Sequence, residues 1–543
     1  MTLRRFDSIL LGFALVALAY VFYEQALIAS RVIDGTRYFW LDDDMMISMT
    51  YGRNLAEGHG LVWNPGGEHV EGYTNFLWTL VMAGVHLTRV PDARAALLVH
   101  IVNFGFLGAS FVLSVRLLRV FAPRSWIAVP LLLAAMFMCP DVILWSTWGF
   151  ETSLLTFLTL VFLVRLFVHG PDPIGFAALS LVPLTRGDGV HIFAAYGLVA
   201  LVVATNRQTL IWLAIAIVPA ALHFVFRRMY YGDWLPNTYY LKVYGVEALH
   251  LRGWFYARSF LLSYLLLLTM AAGSAIAIMR RDRRGMVLFV MVLSTVGYVI
   301  LTGGDMFAYF RFFAHVMPIV FVFAILGVVT LARGRVAQGA WAAVLFVITI
   351  PLLDPFKRLM AHATNGDPER QIQVALIVKK NALPGSLTAV YCAGLVPYFT
   401  RLPVIDMLGK SDRHIARLIP FPGAMIGHGK VDPAYTLALK PDLVVTCGAN
   451  NGYASGVAPA TKTYDPMVTF VGSEAFRSRY LEFPVLDTYL LQETAVYTHR
   501  GSKEFDRRQW QQKILSAVEG DGAKVLQFNR ALEAAIETLD AAE

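Results

Sequence analysis

The sequence predicts a polytopic α-helical membrane protein with a C-terminal α/β domain outside the bilayer. Three observations carry that reading. Of 543 residues, 57% are hydrophobic and 15% charged, with a mean hydropathy of +0.56, whereas soluble domains carry about 25% charged residues. Apolar runs near the ~20 residues that span a bilayer recur up to Asp354-Pro355 and then stop. Between them lie five short polar motifs, each with a carboxylate: Leu41-Asp42-Asp43-Asp44, Ser146-Thr147-Trp148-Gly149-Phe150-Glu151, Thr185-Arg186-Gly187-Asp188-Gly189, Gly232-Asp233-Trp234-Leu235-Pro236-Asn237 and Gly303-Gly304-Asp305-Met306.

Arg4-Arg5 and the apolar stretch 13–29 resemble a signal peptide. The stretch exceeds the roughly 7–15 apolar residues of a cleaved signal, so 7–28 is expected to be the first membrane helix. A first outer loop, 29–92, follows. Within it 43–57 is expected to be helical, with Asp43, Ile47, Thr50 and Asn54 on one side at i, i+4 spacing. Residues 76–88 are apolar but short, and fit a juxtamembrane or re-entrant helix. Further spans are expected at 93–117, 126–142, 151–168, 173–184, 189–205, 209–226, 257–279, 285–301, 312–332 and 336–353, about 11 in all.

An N-terminus inside the cell puts Arg116, Arg119, Arg124, the 280–284 arginines, Arg333 and Arg335 in cytoplasmic loops, as the positive-inside rule requires. It also puts all five acidic motifs on the other side. Arg227 and Arg228 are exceptions to the rule. The net charge of +8 therefore reads as an orientation signal, and no nucleic-acid partner is expected. Residues 1–353 form the membrane domain, and an odd number of spans exports 354–543. There, 387–392 and 442–446 read as buried strands, and 369–381, 432–440 and 522–540 as helices. Cys392 and Cys447 can pair in an exported domain or remain buried thiols; Cys139 lies in an apolar run.

Carboxylates and arginines are costly in lipid, so these motifs belong at its edge or in a shared polar cavity, a pattern suited to an enzyme. Asp42, Asp43 and Asp44 can supply a general base for an acceptor hydroxyl, hold a divalent cation such as Mg or Mn, or cap a helix. Arg186 can grip a phosphate bidentately or close a tight turn on Asp188. In 231–242, Asp233, Trp234 and Asn237 offer aromatic and polar contacts to a sugar, and Lys242 a charge for phosphate. An interfacial aromatic belt would explain the rings alone. Asp305 is followed by Arg311, and His59 lies close to the aspartates in sequence. No paired His or Cys ligands suggest zinc, and no phosphate-binding glycine loop follows a strand.

Asp43-Asp44-Met45-Met46-Ile47-Ser48, the stretch from Tyr51 to Pro65, and Val70-Glu71-Gly72-Tyr73-Thr74-Asn75-Phe76-Leu77-Trp78 resemble the first outer loop of GT-C glycosyltransferases. They are most similar to the terminal β-(1→2)-arabinofuranosyltransferases, which use decaprenyl-phosphate arabinofuranose. The later motifs, and 406–417 with Gly427-His428 and Pro441-Asp442, look like the same family. Gly187 stands where that family often has Pro, and Gly429-Lys430 where a Glu is expected.

The resemblance implies an enzyme of the bacterial inner membrane that moves D-arabinofuranose from a polyprenyl-phosphate donor to a glycan or glycolipid acceptor. It implies Asp43 or Asp44 as base, with a divalent cation on the same pair. It implies Arg186, Lys242 and Arg311 on the donor phosphate, and His59, Glu151, Asp188, Asp233, Trp234, Asn237 and Asp305 around the substrates. Another sugar such as mannose, a lipid-linked-sugar transporter and an assembly scaffold remain alternatives. Transporters show internal repeats and midplane charges; here no repeat is visible and the charges gather at one face.

Overall fold

The structure is a computed structural model that describes residues 4–305, 307, 309–331, 367–420, 426–445, 474–486 and 493–499. The expected span 336–353, the helix 522–540, Met306 and Cys447 lie outside them.

Among the described residues five helices are long and apolar enough to cross a membrane: Arg5–Ile28 (α1), Asp92–Phe121, Thr152–His169, Arg207–Tyr231 and Arg283–Thr302. Two expected spans are broken instead of straight. Ala128–Phe137 and Pro140–Thr147 meet at 52°, and Leu249–Ser263 and Leu265–Met279 at 78°. Pro140 explains the first break, because proline cannot continue a helix but suits its first turn. Shorter apolar helices occupy Phe76–Leu87, Pro173–Thr185, Gly189–Val203 and Met317–Thr330. A buried ion pair fastens α1 to the helix Asp92–Phe121: Arg119 donates through Nε to Asp7 Oδ2 at 2.9 Å and through Nη2 to Oδ1 at 2.6 Å.

The segment 29–92 begins with a hairpin, β1 (Ser30–Ile33) and β2 (Thr36–Phe39), turned at Asp34-Gly35 with both residues at positive φ. Helix α2 (Asp43–Ala56) follows and packs on α3 (Phe76–Leu87). Every residue from 45 to 54 is buried. The C-terminal domain covers the face of α2 that α3 leaves open.

That domain is built on a five-stranded sheet ordered β4-β3-β5-β7-β6. The strands β3 (Thr388–Val390), β4 (Val404–Asp406) and β5 (Leu443–Val445) are parallel; β7 (Glu493–His499) runs antiparallel to β5 and to β6 (Tyr480–Leu486). The three parallel strands are wholly buried, which is why they read as apolar runs. Helices Leu395–Thr400, Arg413–Ala416 and Pro433–Ala438 connect them. Cys392 is disulfide-bonded and Cys139 is a buried free thiol.

The domain docks on the segment 29–92 through polar contacts. Asn64 exchanges two hydrogen bonds with the Val404 backbone at 2.8 and 2.9 Å. Arg401 pairs with Asp92 and Glu57, both at 2.8 Å.

Candidate active site

All five polar motifs send residues into one cavity of about 250 Å³. Asp44 comes from the first motif, Glu151 from the second, Arg186, Gly187 and Asp188 from the third, Leu235 and Pro236 from the fourth, and Gly304 and Asp305 from the fifth. Five loops far apart in sequence therefore share one end of the helical bundle. Lys242, Arg311, Arg227 and Lys410 complete the charged lining.

The three aspartates separate into three roles. Asp42 caps α2, accepting the Asp44 N–H at 3.0 Å. Burial, then the charges of Asp44 and Asp43, push its pKa up to about 7. Asp43 points away from the cavity and accepts the Leu395 N–H at 2.9 Å. Gly394 lies so close that a Cβ there would overlap the Asp43 carbonyl and carboxylate. Asp44 alone of the three lines the cavity and takes the Lys410 ammonium on its Oδ1. Burial disfavours its charge, but Lys410 and then Lys242 outweigh that and hold its carboxyl well below the ordinary range.

Lys410 is built into place. The Asp406 carboxylate accepts N–H groups from Leu408, Gly409 and Ser411 at 3.0, 3.1 and 2.7 Å, curling the loop. Gly409 supplies the left-handed turn at φ +80°. Asn237 Nδ2 then donates to the carbonyls of Gly409, Lys410 and Asp412 at 2.9, 3.1 and 3.0 Å. Burial works against the Lys410 charge, yet Asp44 and Asp43 raise its pKa above the ordinary lysine value.

The other cations face a common space. Arg186 donates to Asp188 at 2.8 Å, stands 3.6 Å from Glu151 and lies over the Phe312 ring. Arg311 pairs with Asp305 at 2.8 Å and is boxed by the rings of Trp145, Phe150 and Phe307. Arg186 Nη1 and Arg311 Nε are buried without hydrogen-bond partners among the described residues. Lys242 has no ion pair among them, and burial lowers its pKa. Arg227, whose position broke the positive-inside pattern, is buried against Glu71 and donates to it from Nε and, at 3.1 Å, from Nη2. Burial lifts Glu71 to about 7 even so.

Several expected substrate residues are placed elsewhere. Asp233 pairs with Arg417 at 2.8 Å and Arg413 at 3.6 Å, bracing the domain. Trp234 is exposed beside Arg228, and Asn237 is the clamp on the Lys410 loop. His59 lines a second cavity. Conversely, the sequence assigns no site role to Lys410 or Glu71, and marks Arg227 only as a positive-inside exception that suits a functional site or a longer loop. Nothing local to 406–412 says that this loop returns to Asp44, 366 residues away in the chain. Among the described residues no three His, Cys, Asp or Glu side chains form a group able to hold a metal ion.

Residues 362–498 match a family described as a domain of unknown function, DUF8728. No curated protein matches the sequence. ArnT from Cupriavidus metallidurans in the apo state is similar in structure, with a TM-score of 0.53 at 12% identity over 89% of this chain and 96% of ArnT. The same protein bound to undecaprenyl phosphate gives 0.53 and 11%, over 90% of this chain and 97% of ArnT. The arabinofuranosyltransferase AftD from Mycobacteria gives 0.50 and 13%, over 93% of this chain and 40% of AftD. At 11–13% identity these likenesses show a shared fold.

Proposed function

We propose that the protein is a polyprenyl-phosphate-dependent glycosyltransferase that moves a sugar, D-arabinofuranose, to a cell-envelope glycan acceptor on the outer side of the bacterial inner membrane. The observation that carries this reading is the cavity itself, where the carboxylates of Asp44, Glu151, Asp188 and Asp305 meet Lys242, Arg311, Arg186, Arg227 and Lys410. The ArnT complex with undecaprenyl phosphate and the likeness to AftD support the donor and sugar classes. In this reading residues 1–353 are the catalytic membrane domain, and the exported 354–543 supplies Lys410 and part of the acceptor side.

Chemically, the acceptor hydroxyl gives its proton to Asp44 while its oxygen bonds to the anomeric carbon. The bond from that carbon to the phosphate oxygen breaks, and its electron pair stays on the polyprenyl phosphate. Lys242 and the unpartnered nitrogens of Arg186 and Arg311 receive that charge. The same cations hold Asp44 ionised, so negative charge growing among them raises its proton affinity as the bond breaks.

The donor set does not fit a divalent cation on Asp43 and Asp44. Asp43 is turned to the Leu395 N–H, and Asp44 is engaged by Lys410.

The test is sugar transfer by purified protein in detergent, from synthetic polyprenyl-phosphate arabinofuranose to a short arabinan. Transfer that Asp44→Asn abolishes supports the reading. Transfer from polyprenyl-phosphate mannose alone keeps the enzyme class and overturns the sugar. No transfer from either donor overturns the enzyme.

A further inference from the structure

A second cavity, of about 210 Å³, lies between α2, the loop after it and residues 397–404 of the C-terminal domain. Its lining includes Arg53, Glu57, His59, Trp63 and Arg401. Arg53 stands nine residues beyond Asp44, which is about 14 Å along α2 and half a turn round it. The two cavities therefore occupy opposite faces of one helix, and this one is separate from the proposed catalytic centre.

Its walls are held firmly. Asn54 Nδ2 donates to the carbonyls of Val62 and Trp63, each at 2.9 Å, folding the loop back over the helix. Arg53 donates through Nη1 to the Tyr398 carbonyl at 2.5 Å and lies 4.9 Å from the Tyr398 ring centroid. Arg401, at φ +60°, is fixed by Glu57 and Asp92.

Two donors in this framework are unsatisfied. Arg53 and Trp63 are each 4% exposed, and Arg53 Nε and Trp63 Nε1 have no hydrogen-bond partner among the described residues. Arg53 also has no ion pair among them. A buried, unpaired guanidinium is costly unless an anion completes it. Burial, then the neighbouring Arg401 charge, lowers the Arg53 pKa against the opposing charges of Asp92 and Glu57. Glu57 lines the cavity too, but it is occupied by Arg401. An aromatic ring beside paired donors suits a sugar, and an engineered cavity of about 150 Å³ accepts benzene, so this volume accommodates a substituted six-membered ring.

We infer that this cavity binds an acidic sugar, with the carboxylate or phosphate on Arg53 Nε and Trp63 Nε1 and the ring toward His59 at the rim. The site does not depend on the transferase reading. The experiment is calorimetric titration of the full-length protein in detergent with D-glucuronate, D-glucose 6-phosphate, inorganic phosphate and D-glucose. Wild type is expected to bind at least one acidic sugar saturably and D-glucose not at all. Arg53→Gln should weaken that binding about tenfold or more, since a charged hydrogen bond is lost. Trp63→Phe keeps the packing, removes only the N–H and should weaken it several-fold; it decides the matter if the Arg53 variant does not fold. Lys242→Met, in the other cavity, should leave it intact.

Absence of saturable binding by every anion overturns the proposal. So does binding that survives both Arg53→Gln and Trp63→Phe, or that Lys242→Met abolishes. Inorganic phosphate binding as tightly as glucose 6-phosphate overturns the sugar part.

Discussion

Lys410 donates its ammonium to the carboxylate of Asp44, joining the C-terminal domain to the N-terminal end of α2 inside the main cavity. Lys410 is the principal charge that keeps Asp44 ionised. Replacing it with Met should raise the proton affinity of Asp44, moving the acid limb of the pH–rate profile upward. The rate at neutral pH should fall about tenfold or more, as loss of a charge-assisted contact implies. Lys410→Arg should restore part of the rate and most of the profile. An unshifted acid limb in Lys410→Met would show that the pair only holds the domains together.

The same geometry separates two adjacent carboxylates that sequence leaves equivalent. Asp44 faces the cavity, while Asp43 accepts the Leu395 N–H. Asp44→Asn should lower transfer about 10²-fold or more, the usual scale for losing a general base. Asp43→Asn retains an acceptor for Leu395 and should stay within a few-fold of wild type. Equal loss in the two variants, measured side by side, would contradict this division.

Asp42 gives a pH test of the helix cap. Its folded pKa is pushed up to about 7, above the roughly 3.9 of an unfolded aspartate. The folded chain therefore binds a proton that the unfolded chain has lost between about pH 4 and 7, so stability falls as pH rises through that window. Asparagine caps as well as aspartate but never ionises. The melting-temperature advantage of Asp42→Asn should thus grow from pH 4 to 7 and then level off. A constant difference across the range would show that Asp42 is ionised throughout.

Much of the membrane domain was legible because apolar runs near a bilayer's thickness announce themselves. The helices Arg5–Ile28, Asp92–Phe121 and Thr152–His169 fall within a few residues of their expected bounds. The bends at Pro140 and Tyr264 were not, since hydropathy records composition and not axis direction. The five motifs were visible as costly charges between spans, and each reaches the cavity. Which side chain does so was not. Asp233 and Asn237 look like sugar ligands beside an aromatic cluster, yet they brace the 409–417 loop. Lys410 was invisible because its partner is long-range and no local pattern encodes such a pair.

Of the lysines and arginines lining the main cavity, Lys242 has no ion pair among the described residues. Lys242→Met should weaken undecaprenyl-phosphate binding about tenfold, the scale of one charged contact, in a titration with the lipid in detergent. Stability should be unchanged or slightly higher, because an uncompensated buried charge is removed. A large drop in melting temperature with unaltered lipid binding would assign Lys242 to packing.

Arg227 and Glu71 offer the complementary case of a buried pair whose members need each other. Their side chains are 9% and 2% exposed. Arg227→Met leaves Glu71 buried without its main cation, which typically costs about 3–5 kcal/mol. Glu71 titrates near pH 7 even with Arg227 present, and without it the carboxyl should hold its proton to higher pH. The variant's deficit should therefore be larger at pH 8.5 than at pH 6, where Glu71 is already protonated. Arg227→Met combined with Glu71→Met removes both charges and should recover much of the loss, because a well-packed apolar pair often replaces a buried ion pair at little cost. Thermal unfolding of the four proteins at the two pH values gives the coupling directly. A double variant as unstable as Arg227→Met alone would mean that the arginine matters for its packing against His223 and Phe224, not for its charge.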